Sequence, residues 1–107
     1  MAEIRMEELA QQLLTQTKAG KVEWEKTRRP YGDIDYRLFF PEGYFAIETI
    51  SNGPRLSLYD DSGVTVDELE SGASEKIATT LREIIDLAEA RIKDRGIERA
   101  FEFLKNR

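Results

Sequence analysis

Apolar residues recur at three- and four-residue steps over residues 3–18, through Met6, Leu9, Ala10, Leu13 and Leu14. That spacing predicts an amphipathic helix, with Lys18 suited to its C-terminal end and Gly20 able to cap it in the left-handed conformation. Residues 21–27 then alternate, Val22 and Trp24 against Glu23 and Glu25, as a half-buried strand does. Trp24 reads as core. Glu23 and Glu25 read as the wet side of that strand rather than as ligands for Mg²⁺. The stretch Arg28-Arg29-Pro30-Tyr31-Gly32-Asp33 reads as a loop, because Pro30 and Gly32 break a ladder.

Three turn signals follow in quick succession: Pro41-Glu42-Gly43, Asn52-Gly53 and Asp60-Asp61-Ser62-Gly63. At the first, a three-residue loop would pair Phe40 with Tyr44 and set Asp35 and Arg37 beside Phe45 and Ile47. A two-residue Glu42-Gly43 loop instead pairs Phe40 with Phe45, Leu38 with Ile47 and Tyr36 with Thr49. A slip of one residue exchanges the faces, so the apolar pattern selects the second. Asn52-Gly53, suited to a type I′ turn, pairs Ile47 with Leu58 and Thr49 with Leu56, with Pro54 tolerated at the first strand position. A three-residue loop with Gly63 left-handed pairs Asp60 with Val64 and sets Leu58 opposite Val66.

All three turns then place Tyr36, Leu38, Phe40, Phe45, Ile47, Leu56, Leu58, Val64 and Val66 on one core face. The opposite face carries a row of Phe39, Ala46, Tyr59 and Thr65, then Arg37, Glu48, Ser57 and Asp67, with Asp35, Ile50 and Arg55 nearer the other end. Beyond Ser71-Gly72-Ala73-Ser74, in which Ser71 or Ser74 serves as N-cap, Ile77, Leu81, Ile84, Ile85, Ala88 and Ile92 form a helical stripe. Gly96 is expected to interrupt it. Ile97, Ala100, Phe101 and Leu104 mark a short terminal helix or a kinked continuation.

The expectation is a single α-β5-α domain over residues 1–107, of class α+β. It has an N-terminal helix, a five-stranded antiparallel meander and a long C-terminal helix. Five strands make a sheet roughly 20–25 Å wide and a helix is ~10–12 Å across, so both helices should tile one face. The other face is left to water or to the terminal helix.

Composition narrows the chemistry. The 107 residues contain neither Cys nor His, which removes disulfides, thiolate nucleophiles and the commonest general base and transition-metal ligand. No nucleotide-binding, nucleophile-elbow or Ser-x-x-Lys spacing occurs. The Asp60–Gly63 turn lacks the ligand spacing of a calcium loop. No catalytic residue, metal or cofactor is therefore expected. Net charge is −5, and residues 38–71 hold seven acids against one base, Arg55. That distribution argues against nucleic acid on this part of the sheet. With neither a signal pattern nor a membrane-spanning run in the sequence, the expected location is the cytoplasm.

The functional expectation is a noncatalytic protein-interaction module of adaptor, immunity or regulatory type. It would bind through the outer sheet face, with Phe39, Tyr59, Arg37, Glu48 and Ile50, or through a sheet edge. Strand pairing or helix packing would equally make a homodimer. The alternative is nucleic-acid or nucleotide binding by the basic and aromatic loop, with Lys26, Arg28, Arg29 and Tyr31, although Asp33 and Asp35 offset its charge. A carboxylate-based metal hydrolase and an acidic mimic of DNA are further readings with less behind them.

The run Lys18-x-Gly20-Lys21-x-x-Trp24, with Tyr36, Phe40-Pro41-Glu42-Gly43, Ile47, Leu56-Ser57-Leu58-Tyr59-Asp60 and Gly63, resembles a group of small bacterial proteins of unassigned function. The resemblance implies a helix, a short meander and a C-terminal helix. It implies no substrate and no catalytic residue.

Overall fold

The computed structural model describes residues 2–28, 34–51, 53–72 and 74–107. The order is α1 (Ala2–Lys18), β1 (Glu25–Arg28), β2 (Ile34–Phe40), β3 (Gly43–Ile50), β4 (Gly53–Asp60), β5 (Thr65–Glu70) and α2 (Glu75–Lys105). The strands form one antiparallel sheet in sequence order. The class is α+β. Of the predicted loop, residues 29–33 lie outside the described residues, as does Asn52 of the second turn.

Helix α1 stops where its backbone demands glycine. Lys21 N–H donates to the Gln16 carbonyl and Gly20 N–H to that of Thr17, with Gly20 at φ +71°, which is a Schellman closure. Trp24 follows and is buried. Its indole N–H donates to Thr17 Oγ1 at 3.0 Å, and that hydroxyl donates to the Leu13 carbonyl. The strand expected over residues 21–27 pairs only from Glu25, because the chain first turns Trp24 under the helix end.

One apolar core joins Met6, Ala10, Leu13 and Leu14 of α1 to Leu81, Ile84 and Ala88 of α2, over Tyr36, Ile47, Leu56 and Leu69 of the sheet. Both helices therefore occupy one face. Ser74 caps α2, its hydroxyl accepting from Ile77 N–H. Side chains also tie α2 across the β1 edge. Lys26 and the Tyr36 hydroxyl both donate to Glu89, and Arg95 reaches Glu23 and the Trp24 carbonyl at 3.1 Å each.

The observed registers correct the expected ones. Phe40 pairs with Gly43, Leu38 with Phe45 and Tyr36 with Ile47, so the first loop is Pro41-Glu42. Proline presets φ for the first central position of a turn, and that preference overrides the expected Glu42-Gly43 loop. Gly43 is needed as a strand residue, since a Cβ there would collide with the Tyr59 carbonyl oxygen. The second hairpin pairs Ile50 with Gly53 and Ile47 with Leu56, again two residues from expectation. Both slips are even, so the faces survive while the rows change.

The third turn forms as expected. Asp60 N–H donates to the Val64 carbonyl, Gly63 adopts φ +82°, and Asp60 Oδ1 accepts from the Ser62 and Val64 amides. A bulge at Leu58/Tyr59 then shifts β5 by one residue, pairing Leu58 with Asp67 and Leu56 with Leu69. An odd shift does exchange faces. Val66, expected in the core, is 60% exposed, while Leu69 is buried in its stead; Val64, also expected inside, keeps its pairing with Asp60 but lies at the turn and is 61% exposed. Phe40, also expected inside, lies at the end of the sheet and is exposed.

The expected interruption at Gly96 does not occur, and α2 continues through it for 31 residues. Glycine costs a helix interior only about 1 kcal/mol, which the flanking turns absorb. At 1.5 Å per residue α2 is about 46 Å long, roughly twice the sheet's width, so its last turns run on past the core.

Candidate functional site: the outer face of the sheet

Strand alternation aims Asp35, Arg37 and Phe39 of β2 away from the helices, with Tyr44, Ala46 and Glu48 of β3 and Arg55, Ser57 and Tyr59 of β4. Cross-strand pairing assembles three rows from these residues. The first is Phe39–Tyr44–Tyr59–Thr65, the second Arg37–Ala46–Ser57–Glu68 and the third Asp35–Glu48–Arg55–Glu70.

Glu48 anchors the charged part. The residue is 2% exposed, and its carboxylate accepts from Arg55 Nη2 at 3.2 Å, Ser57 Oγ at 3.0 Å and Tyr59 Oη at 3.2 Å. Arg55 also lies 3.3 Å from Glu68 and 3.7 Å from Glu70. It thus bridges acids on β3 and β5, although its Nε lacks hydrogen-bond geometry toward Glu68. Burial pulls the Arg55 pKa down, but the charges of Glu48 and Glu68 outweigh it and the net shift is upward. The Tyr59 hydroxyl is raised by burial first and by Glu48 second, so it stays protonated and donates. A buried carboxylate persists only with such donors around it.

The aromatic row beside this network is continuous. Phe39 and Tyr44 have ring centroids 5.3 Å apart, and Tyr44 and Tyr59 stack at 4.8 Å. The Arg37 guanidinium sits 5.4 Å over the Tyr44 ring and 3.6 Å from Asp35. Such stacking adds about 0.5–1.5 kcal/mol per pair beyond burial and limits ring motion.

Of the residues singled out by sequence, Phe39 is 55% exposed and open to a partner. Tyr59, Arg37 and Ile50 are half-buried on the same face, and Glu48 lies beneath them. Tyr44, which sequence reasoning left out of the face, occupies the middle of the aromatic row. Pro41 was the signal that would have placed it there. In the alternative site, Lys26 is committed to Glu89 and Arg28 is exposed at the end of β1, while Arg29 and Tyr31 lie outside the described residues. Among the described residues no cluster of three or more acidic side chains is arranged to hold a metal ion, and no helix is long and apolar enough to cross a membrane.

The terminal turns of α2 do not fold over this face. Ile97, Phe101, Phe103 and Leu104 are all exposed, on the part of α2 that follows the Arg95 ties to Glu23 and Trp24 beside β1. No family model, curated protein or solved structure matches the chain.

Proposed function

We propose that the chain is a noncatalytic protein-interaction module whose docking surface is the outer face of the sheet, centred on Phe39, Tyr44 and Tyr59. The observation that carries this reading is the stacked aromatic row, left uncovered by both helices and held from beneath by the Glu48 network. Aromatic side chains with few rotatable bonds bury large area at low entropic cost, which is why they dominate protein interfaces. Acids on the same sheet, Glu68 and Glu70 in the rows and Asp60 and Asp61 at the adjoining turn, set the preferred partner. It is a protein presenting an apolar anchor flanked by lysine or arginine.

Phe39 is the residue to test. Tyr59 is a poor probe, because its hydroxyl serves Glu48 and its ring supports Tyr44, so replacing it perturbs the fold as well as the surface. Phe39→Asp should eliminate capture of the partner from the native host, with the melting temperature changed by no more than a few degrees. Undiminished capture by that variant would remove the outer face as the binding surface.

A further inference from the structure

We infer that the overhanging end of α2 is a self-association surface, by which two copies of the chain pair tip to tip, antiparallel, about a two-fold axis near Glu102 and Phe103. The surface is separate from the outer sheet face and does not depend on it.

Residues 96–107 are exposed throughout, and Arg95, bonded to Glu23 and the Trp24 carbonyl, is where α2 leaves the body. Beyond it the helix should be polar all round if it met only water. Instead Phe101 is 66% and Leu104 64% exposed, and Ile97 and Phe103 are exposed as well. At about 100° per residue, Ile97, Phe101 and Leu104 fall within a strip about 60° wide, the 4-3 spacing of a coiled-coil seam. The three side chains of the strip leave on the order of 350 Å² of apolar surface in contact with water, while Phe103 lies round the helix from them, under the Arg107 guanidinium. A contiguous patch of a few hundred Å² matches the largest that monomers carry, and such patches are often functional. Two such tips together bury about 1,000 Å² once flanking stems are added, the size of a weak, reversible interface.

The pattern around the strip fits a second copy of the same helix. Antiparallel pairing with the two-fold near Glu102 and Phe103 sets Phe101 against Leu104 of the second copy, and the reverse. On one flank of the strip stand Glu98 and Lys105. The same two-fold brings Glu98 of each copy beside Lys105 of the other, giving two reciprocal ion pairs at the rim. The opposite flank carries Ala100, whose small side chain lets the helices approach. Gly96 adds no bulk, since a Cβ there would meet nothing. The overlapping segment runs from Glu98 to Arg107, just past the last tie to the body, so the tips can pair while the bodies stay apart. A two-fold contact of this kind is self-complementary and closes.

Analytical ultracentrifugation over about 1 µM to about 1 mM tests the inference, because small interfaces of this kind belong to weak, reversible association. The wild type should pass from monomer to dimer, and Phe101→Glu with Leu104→Glu should remain monomeric with unchanged circular dichroism and melting temperature. Charge variants read the pairing itself. Glu98→Lys and Lys105→Glu should each weaken their own dimer about three- to tenfold, and mixing the two should restore a heterodimer of wild-type affinity. A wild type monomeric throughout that range would overturn the inference and leave the tip to a different protein. Dimerisation that survives the Phe101 and Leu104 replacements, or that the charge mixture does not recover, would overturn it equally. Phe39→Asp should leave the dimer intact, so failure here is distinguishable from failure of the outer-face reading.

Discussion

The two faces of the sheet are buried to similar depth by different means. On the helix side, Ile47 and Leu56 are sealed by a layer of aliphatic side chains from α1 and α2. On the other side, Asp35, Ala46, Glu48 and Ser57 are as inaccessible, although both helices lie elsewhere. Glu48 is enclosed there by Arg55, Ser57 and Tyr59. A non-directional force organises the first face and a directional network the second. Deleting atoms from the first leaves a cavity, whereas deleting one partner from the second leaves an unmatched charge.

The largest effects should come from the helix side. Leu81→Ala, Ile84→Ala and Leu69→Ala should each lower unfolding free energy by about 2–5 kcal/mol in chemical denaturation. A domain of this size has only about 5–15 kcal/mol to lose. A loss below about 1 kcal/mol at Leu81 or Ile84 would mean that α2 does not seal the core as described.

The outer face should respond next. Glu48→Ala strands Arg55, Ser57 and Tyr59 without their shared acceptor, and should cost about 2–4 kcal/mol. Glu68 and Glu70 still hold Arg55, which keeps the loss below that of a fully isolated pair. Replacing both partners, Glu48→Leu with Arg55→Leu, should recover much of the loss. If the double variant is no more stable than Glu48→Ala, the network contributes more than charge satisfaction, and the two faces differ less than supposed.

Why one face was legible and the other was not follows from the same contrast. Two loops were misplaced by one residue each, which shifts the pairing by two, yet Tyr36, Leu38, Phe45, Ile47, Leu56 and Leu58 still fell on the correct side, because faces depend only on parity. Rows depend on the register itself. The expected rows set Glu48 opposite Arg37 and Ser57, whereas it pairs with Asp35 and Arg55. They also omitted Tyr44. A hydrophobic layer tolerates that slip and a hydrogen-bond network does not. The bulge at Leu58/Tyr59 has no turn residue of its own, and its odd shift put Val66 out and Leu69 in, whereas Val64 keeps its expected place opposite Asp60 and is exposed because it lies at the turn. The length of α2 was hidden by Gly96, whose propensity cost is real but too small to stop a helix already five turns long and packed on the core before it.

Alkaline titration compares the faces through one tyrosine on each. Tyr36, which donates to Glu89 on the helix side, and Tyr59, which donates to Glu48 on the outer side, are both raised above the ordinary value of 10.0, burial being the first cause in each case. A tyrosine whose pKa is raised by folding contributes stability that is complete below pH about 10 and is lost as pH climbs from there toward the folded value. Unfolding free energy should therefore fall above pH about 10. Tyr36→Phe and Tyr59→Phe should each flatten that fall. An unchanged slope in both variants would show that neither hydroxyl is held protonated by the fold.

The smallest effect should be at Val66, and it separates the observed sheet from the one expected without a bulge. In the unbulged register Val66 faces Leu58 in the core, where exchanging a methyl for a hydroxyl would leave a buried polar group and cost about 1–3 kcal/mol. In the observed register the side chain is largely in water and Asp67 takes the place opposite Leu58. Val66→Thr should then change stability by less than about 0.5 kcal/mol, since threonine is as β-branched as valine and loses nothing as a strand residue. The bulge also turns Glu68 and Glu70 toward Arg55, so a measurable loss at Val66 would count against the acidic rows of the outer face as well as against the register of β5.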